Sequence, residues 1–408
     1  MNGSISVARP LMAALGLGAL GLVVGTFLGF AEGVFFGAFL MAFLIWMGVS
    51  LGALVLLAVN HMAGGSWGAV VRRPLEAMVA AIPLTALFFV PLLFGITTLY
   101  PWADPVYVAA HPLVEFKVAY LNVPWFVIRA ALYFAAWIAI AWFFLRNARE
   151  QDARPADASA IGYRMKAAGG AAIVAYVITM TLATVDWGMS LTPEWWSGIY
   201  GVIFMISQAI TALALTIMLM VWLASRDARV DQLLTWKRLQ DLGNFLMAFT
   251  MFWAYVNISQ LIIQWSNNIV ETNTFYVLRF DTEPWRGIGI YLAVAGFALP
   301  FLILFSRWVK RQRAALAFMS GWAILNQLIH TYWFIAPEVG RTTLPLASDV
   351  LLVVGLGGVW FAFVLRSLAS RSLIPANDPR LKHAPVPPHE GAHPHAPAAG
   401  TISEVRHA

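Results

Sequence analysis

The sequence predicts an all-α polytopic membrane protein of about ten transmembrane helices. Three observations carry that expectation. Of its 408 residues 60% are hydrophobic and only 11% charged, where a soluble domain of this length is roughly a quarter charged. The charges are gathered into short gaps between long apolar runs, so the excess hydrophobicity belongs to lipid rather than to one oversized core. Each run is also near or above the ~20 residues that cross the hydrocarbon layer as a helix, the form in which every backbone polar group is satisfied internally.

The first run, 11–29, is almost purely apolar, follows a single Arg9 and leads straight into more membrane, so it reads as a retained first helix and not a cleaved signal. The second and sixth, 34–59 and 197–224, are the longest, and the fifth, 168–185, is the shortest. The others fall at 76–99, 124–145, 239–263, 285–305, 314–335 and 347–367. After 374 the chain becomes Pro-, Ala- and His-rich without periodicity, and 375–408 reads as a disordered, solvated tail. His383, His389, His393 and His395 in it offer a metal-binding alternative.

Charge predicts orientation. Of the 26 Lys and Arg residues, all but Lys117, Arg129, Arg279, Arg286 and Arg341 fall on the side holding both termini, which the positive-inside rule makes cytoplasmic. The opposite side instead carries Glu32, Asp104, Glu115, Asp186, Glu194, Glu271, Asp281, Glu283 and Glu338, and the aromatic edges Tyr100-Pro-Trp102, Trp195-Trp196 and Trp285, which suit an interfacial belt. The formal charge of +6 therefore reports topology in a bacterial inner membrane, and no nucleic-acid partner is expected. Arg129, five residues into the fourth helix, reads as snorkelling outward.

Corresponding features recur about 160 residues apart. The second helix opens Phe35-Phe36-Gly37 and leads to Arg72-Arg73 and Glu76; the sixth opens Ile199-Tyr200-Gly201 and leads to Lys237-Arg238 and Asp241. The fourth and eighth begin with Pro124-Trp125 and Pro284-Trp285. Helices 2–5 (about 34–185) and 6–9 (about 197–335) thus read as two four-helix bundles in parallel repeat, flanked by helices 1 and 10.

The chain contains no cysteine, which excludes thiolate-held clusters, c-type haem attachment and disulfides within it. Outside the tail only His61, His111 and His330 remain, and their depths do not match as a haem pair demands. No redox cofactor is expected in this chain.

Polar side chains within the bilayer are costly and therefore informative. Ser320, Asn326, Gln327 and His330 share a face of helix 9; Asn257, Gln260 and Gln264 share one of helix 7; Tyr200, Ser207, Gln208 and Thr211 share one of helix 6. These faces can converge on one polar interior in the second bundle, either as interhelical glue or as a proton path. His330 is the one deep side chain that changes charge near neutral pH. In the path reading Gln208, Ser207, Gln260, Gln264, Asn326 and Gln327 hold waters below it. Asp241, on another face of helix 7, receives protons at the basic end or merely caps the helix. Asp186, at the outer end of helix 5, is a further candidate, an interfacial charge or a cap. In the first bundle, helices 2 and 3 offer only Ser50 and Thr85 at depth, with Thr97-Thr98 further out.

The string DWGMSLTPEWWSGIYGVIFMISQ (186–208) resembles a segment of the NrfD-like, ActF-type membrane subunits of alternative complex III. MFWAYVNISQLIIQWSNNIVET (251–272), ALPFLILFSRWVKR (298–311) and LIHTYWFIAPE (328–338) resemble later segments of the same subunit, in the same order. The resemblance implies a ten-helix fold of two four-helix bundles and membership of a quinol:electron-acceptor oxidoreductase. Its partners would be a sister NrfD-like membrane subunit and iron–sulfur and multihaem cytochrome c subunits. NrfD-like subunits that bind quinol place polar residues on the first bundle, which is nearly bare here, so the sister subunit is the expected site of quinol oxidation. This chain would then serve assembly and proton conduction. A secondary transporter and an inert anchor for periplasmic redox subunits are the alternatives; against the transporter, the two units show no matching pair of Gly- or Pro-broken helices.

Overall fold

In the computed structural model residues 7–267, 269–375 and 377–382 are described. The apolar runs are helices: α1 Ala8–Ala31, α2 Phe35–Ala63, α3 Trp67–Leu93, α4 Val123–Ala153, α5 Ala158–Trp187, α6 Tyr200–Ala224, α7 Trp236–Asn267, α8 Trp285–Phe305, α9 Arg313–Ile335 and α10 Ala347–Ala369. Among the described residues there are no strands, and nine of these helices, all but α9, are long and apolar enough to cross a membrane. The protein is a multi-pass membrane protein. α9 has the length of its neighbours, but Ser320, Asn326, Gln327 and His330 interrupt its apolar run, and all four are buried.

The short fifth run belongs to one of the longer helices. α5 begins at Ala158, well before the apolar stretch, because its first turns, with Arg164 and Lys166, stand outside the hydrocarbon and need no apolar residues to stay helical. α3 is broken after Val79, and its second segment, Ile82–Leu93, has Pro83 in its first turn, which has no N–H to continue the ladder.

α2 and α6, the two most buried spans, pack against each other at the centre. Around α2 the contacts run α2–α3–α4–α5 and back to α2; around α6 they run α6–α7–α8–α9 and back to α6. The same neighbour order in both units is the parallel repeat, and the cross-contacts α5 with α6 and α9 with α2 correspond as well. The centre is close-packed because Gly52 of α2 lies under the Gln208 backbone, where a Cβ would stand 2.1 Å from the carbonyl oxygen.

α10 leans on α2 through Trp46 Nε1 to the Val353 carbonyl and Trp360 Nε1 to Ser50 Oγ, both 2.8 Å. α1 packs mainly on α10, and its only buried residues are Gly18, Gly21, Gly25 and Gly29. A Cβ on Gly355 of α10 would stand 2.6 Å from the Leu22 nitrogen, whereas one on Gly16 would meet nothing within 4 Å. Such small-residue seams replace the hydrophobic drive that lipid removes. Gly355→Val is therefore expected to destabilise the α1–α10 pair by about 1–3 kcal/mol and Gly16→Val to be neutral, read as thermal midpoints in detergent. Equal midpoints for the two variants would show that the seam does not hold α1.

The packed chain continues past the point where composition suggests disorder. Asn377 Nδ2 donates to the Gln151 and Asp152 carbonyls, and Arg380 Nη1 donates to the Asn60 carbonyl and side chain at 3.1 and 2.5 Å. Residues 377–382 thus form a strap across the basic end of the first bundle. The tail histidines, from His383 onward, lie outside the described residues.

Candidate functional site

α6, α7 and α9 bring three polar faces together in the second bundle. His330 of α9 is buried, with Nε2 3.2 Å from Asn257 Oδ1 of α7 and Nδ1 3.4 Å from Ser207 Oγ of α6. Trp253 stands edge-on to the imidazole at 5.0 Å and Phe334 lies 4.9 Å away, closing the ring in. Asn257 Nδ2 donates to the Trp253 carbonyl at 2.8 Å, which assigns Oδ1 as the atom facing His330. An acceptor at Nε2 places the neutral ring's proton there and leaves Nδ1 as its basic nitrogen.

Ser207, the neighbour of Nδ1, lines a small cavity. Ser207, Gln208, Thr211, Gln327 and Thr331 line a space of about 20 Å³ beside Gly48 of α2, room for about one water molecule. Gln208 Oε1 accepts from Tyr176 Oη of α5 at 2.8 Å, so the cavity wall joins the two bundles. Gln327 Oε1 and Asn326 Oδ1 are buried acceptors without a partner among the described residues, an arrangement that costs about 1–3 kcal/mol each unless water reaches them.

α8 is shaped to meet this face. Its segment Leu292–Ala298 is a π-helix, a wider turn often found at functional sites. The Ala295 carbonyl in it accepts from Trp322 Nε1 at 2.8 Å and Asn326 Nδ2 at 3.2 Å of α9. Gln260 and Gln264 continue the buried face of α7 one and two turns beyond Asn257. Asp241, at the other end of α7, is not brought to this group; there Lys310 Nζ donates to Asn244 Oδ1 at 2.7 Å.

Asp186 belongs elsewhere. Arg129 of α4 grips it with Nε on Oδ2 and Nη2 on Oδ1, both 2.9 Å, and Tyr133 Oη donates to Oδ2 at 2.8 Å. Asp186 is fully buried, and Arg129 is turned inward, with Tyr120 stacked 3.8 Å from its guanidinium. Arg129 therefore does not snorkel, and Asp186 is neither an exposed interfacial charge nor only a cap. A bidentate partner satisfies the guanidinium inside, and outward extension would strand the carboxylate.

The first bundle is accordingly not bare of buried polar groups. Its basic end holds a second network that composition alone reads as a charged loop. Glu76 Oε1 accepts from Arg72 Nε at 2.6 Å, and Oε2 accepts from Arg73 Nη1 at 2.6 Å and Arg371 Nη1 at 3.0 Å. Asp152 takes the remaining arms of Arg73 and Arg371, both at 2.6 Å.

The second bundle has an outer ion pair of its own, Arg279 with Glu338, about 150 residues after Arg129 and Asp186. Arg279 Nη1 stands 2.7 Å from Glu338 Oε1, close but not aligned as a hydrogen bond; the firm bonds of Arg279 go to the Phe275, Trp333 and Phe334 carbonyls. Burial lowers the Arg279 guanidinium from its ordinary range, and the Glu338 charge opposes that shift. Thr192 closes on the other oxygen of Glu338. No protein-family model matches this chain, and no characterised protein is significantly similar to it in sequence. The site therefore has to speak through its geometry: a buried imidazole between an amide and a hydroxyl, beside a water-sized cavity, in the bundle opposite a buried Arg–Asp pair.

Proposed function

We propose that the chain is a membrane subunit of a quinol:electron-acceptor oxidoreductase of the alternative complex III type, in a bacterial inner membrane with its basic face cytoplasmic. It carries no redox group of its own. It works beside a sister NrfD-like subunit that oxidises quinol, and beneath iron–sulfur and multihaem cytochrome c subunits. Its own part is to hold the assembly together and to pass protons through the second bundle.

One observation supports this reading above the rest. Three of the four strings that carry the resemblance, distant in sequence, converge on the second bundle: Thr192 meets Glu338, Ser207 and Asn257 meet His330, and the Tyr200 ring lies tilted against Phe334 at 5.3 Å. Within that cluster Nδ1 of His330 takes a proton from the cavity side, past Ser207 and Gln327. Nε2 then releases its own towards Asn257, and rotation of the ring resets the relay.

A passive anchor is the second reading, and one feature favours it. The hydroxyls of Ser207, Thr211, Thr216, Thr250 and Ser320 all donate to carbonyls of their own helices, so each is satisfied locally and has no proton committed to a path. His330→Leu separates the two. In the relay reading the complex assembles and oxidises quinol, but protons translocated per electron in proteoliposomes fall, and His330→Gln, which keeps the polar contacts, lowers them as well. An unchanged ratio in both variants leaves the anchor.

A further inference from the structure

We infer that a cavity at the basic end of the first bundle is a binding site for a phosphate group. The space, about 380 Å³, lies between the end of α2, the start of α5 and the strap, and its size suits a headgroup or small anion. Its charged lining is Arg72, Lys166, Arg380 and Asp378, three cations to one carboxylate.

That carboxylate is already committed. Asp378 Oδ2 accepts from Arg72 Nη1 at 2.9 Å and Arg380 Nη2 at 2.7 Å, and Oδ1 accepts from Arg380 Nε at 2.9 Å. Burial alone would raise this carboxyl, but the bonds and charge of Arg380, with the charge of Arg72, hold it down to about 2, so it stays ionised and paired.

What is left over is cationic. Arg72 is fully buried, lines the cavity, and keeps its Nη2 without a hydrogen-bond partner among the described residues. Its other arms are taken by Glu76, Gln151 and Asp378, so the guanidinium cannot swing away to satisfy the last one. Lys166 stands in the same lining with no ion pair among the described residues, and Ser159 and Tyr163, which also line it, carry two neutral hydroxyl donors. An orphan guanidinium N–H, a free ammonium and hydroxyls around one space match an acceptor with several oxygens and negative charge, which is a phosphate. The α2–α3 corner opens the cavity at Gly64 and Gly65, with φ of 74° and 95°, where no side chain intrudes from Gly64.

The site stands at the membrane boundary, so the phosphate can come from an anionic phospholipid of that leaflet or from a soluble phosphate compound. Two arms distinguish them, both on the full chain. In the first, the protein is placed in phosphatidylcholine nanodiscs with and without phosphatidylglycerol, and retained lipid is counted by native mass spectrometry. In the second, the protein in detergent is titrated with inorganic phosphate and phenyl phosphate while the thermal midpoint is followed. Lys166→Gln breaks no hydrogen bond or ion pair among the described residues and is expected to weaken binding about fivefold; Arg380→Gln weakens it further but also loosens the strap. Selective retention of phosphatidylglycerol that Lys166→Gln loses assigns the lipid headgroup. A saturable rise in midpoint with either phosphate, weakened in the variant, assigns the soluble source. If neither probe binds, or if Lys166→Gln and the native chain respond alike, the inference is overturned.

Discussion

Glu76→Ala is expected to cost about 3–5 kcal/mol of stability, the range for removing one partner of a buried ion pair. The carboxylate is nearly inaccessible and takes Arg72, Arg73 and Arg371 at once. Without it Arg72 keeps only Asp378 and Gln151, and Arg73 and Arg371 share Asp152 alone. Because those arginines come from α3 and from beyond α10, the loss should also free the end of α10 and the strap, seen as faster proteolysis after residue 369. Thermal unfolding in detergent measures the first effect. A loss below about 1 kcal/mol, the worth of an exposed pair, would mean that water already reaches the network. Acid is a poor substitute for the mutation: the folded Asp378 carboxyl sits near 2, below the unfolded value of ~3.9. Its contribution is fully present above ~3.9 and is lost only as pH falls through that window.

The second large effect is asymmetric. Arg129→Ala leaves Asp186, with no exposure at all, holding a charge against Tyr133 alone and is expected to cost about 3–5 kcal/mol. Asp186→Ala should cost clearly less, because Arg129 is 13% exposed near the end of α4 and can extend to the interface once released. The double variant Arg129→Leu with Asp186→Leu removes both charges and should recover most of the loss. Thermal midpoints in detergent measure all three. If the two single variants are equally damaging, the arginine is as trapped as the aspartate and the asymmetry argument fails.

The helices were legible because lipid imposes a length and an apolarity that the chain cannot disguise. The convergence of Ser207, Asn257 and His330 was legible too, since helical phase places each on a definite face and a polar face in lipid needs another. Arg129 and Asp186 escaped for a different reason: they are 57 positions apart, and pairing across helices is not a local property of either. A signal existed, namely two opposite charges at the same outer depth on consecutive helices, and it outweighs the tendency of a lone arginine to snorkel. The strap escaped because its proline-rich surroundings read as tail. Its anchors, Asp378 and Arg380, take meaning only from Arg72 and Asn60, some 300 positions earlier. The start of α5 was hidden by the same rule that revealed the other helices, since a helix that emerges into water no longer advertises itself by apolarity.

The glycine seam of α1 has a consequence for how the protein is made. α1 has α10 as its main partner, with the whole of residues 32–346 between them. At ~5–20 residues per second that interval is roughly tens of seconds. Throughout it α1 has to reside in lipid alone, and its nearly uninterrupted apolar sequence lets it do so without an unsatisfied group. Arrival of α10 then ends the wait, so α1 docks only after α10 has been made, and a nascent chain stalled before residue 347 would leave α1 as an orphan open to quality-control proteases.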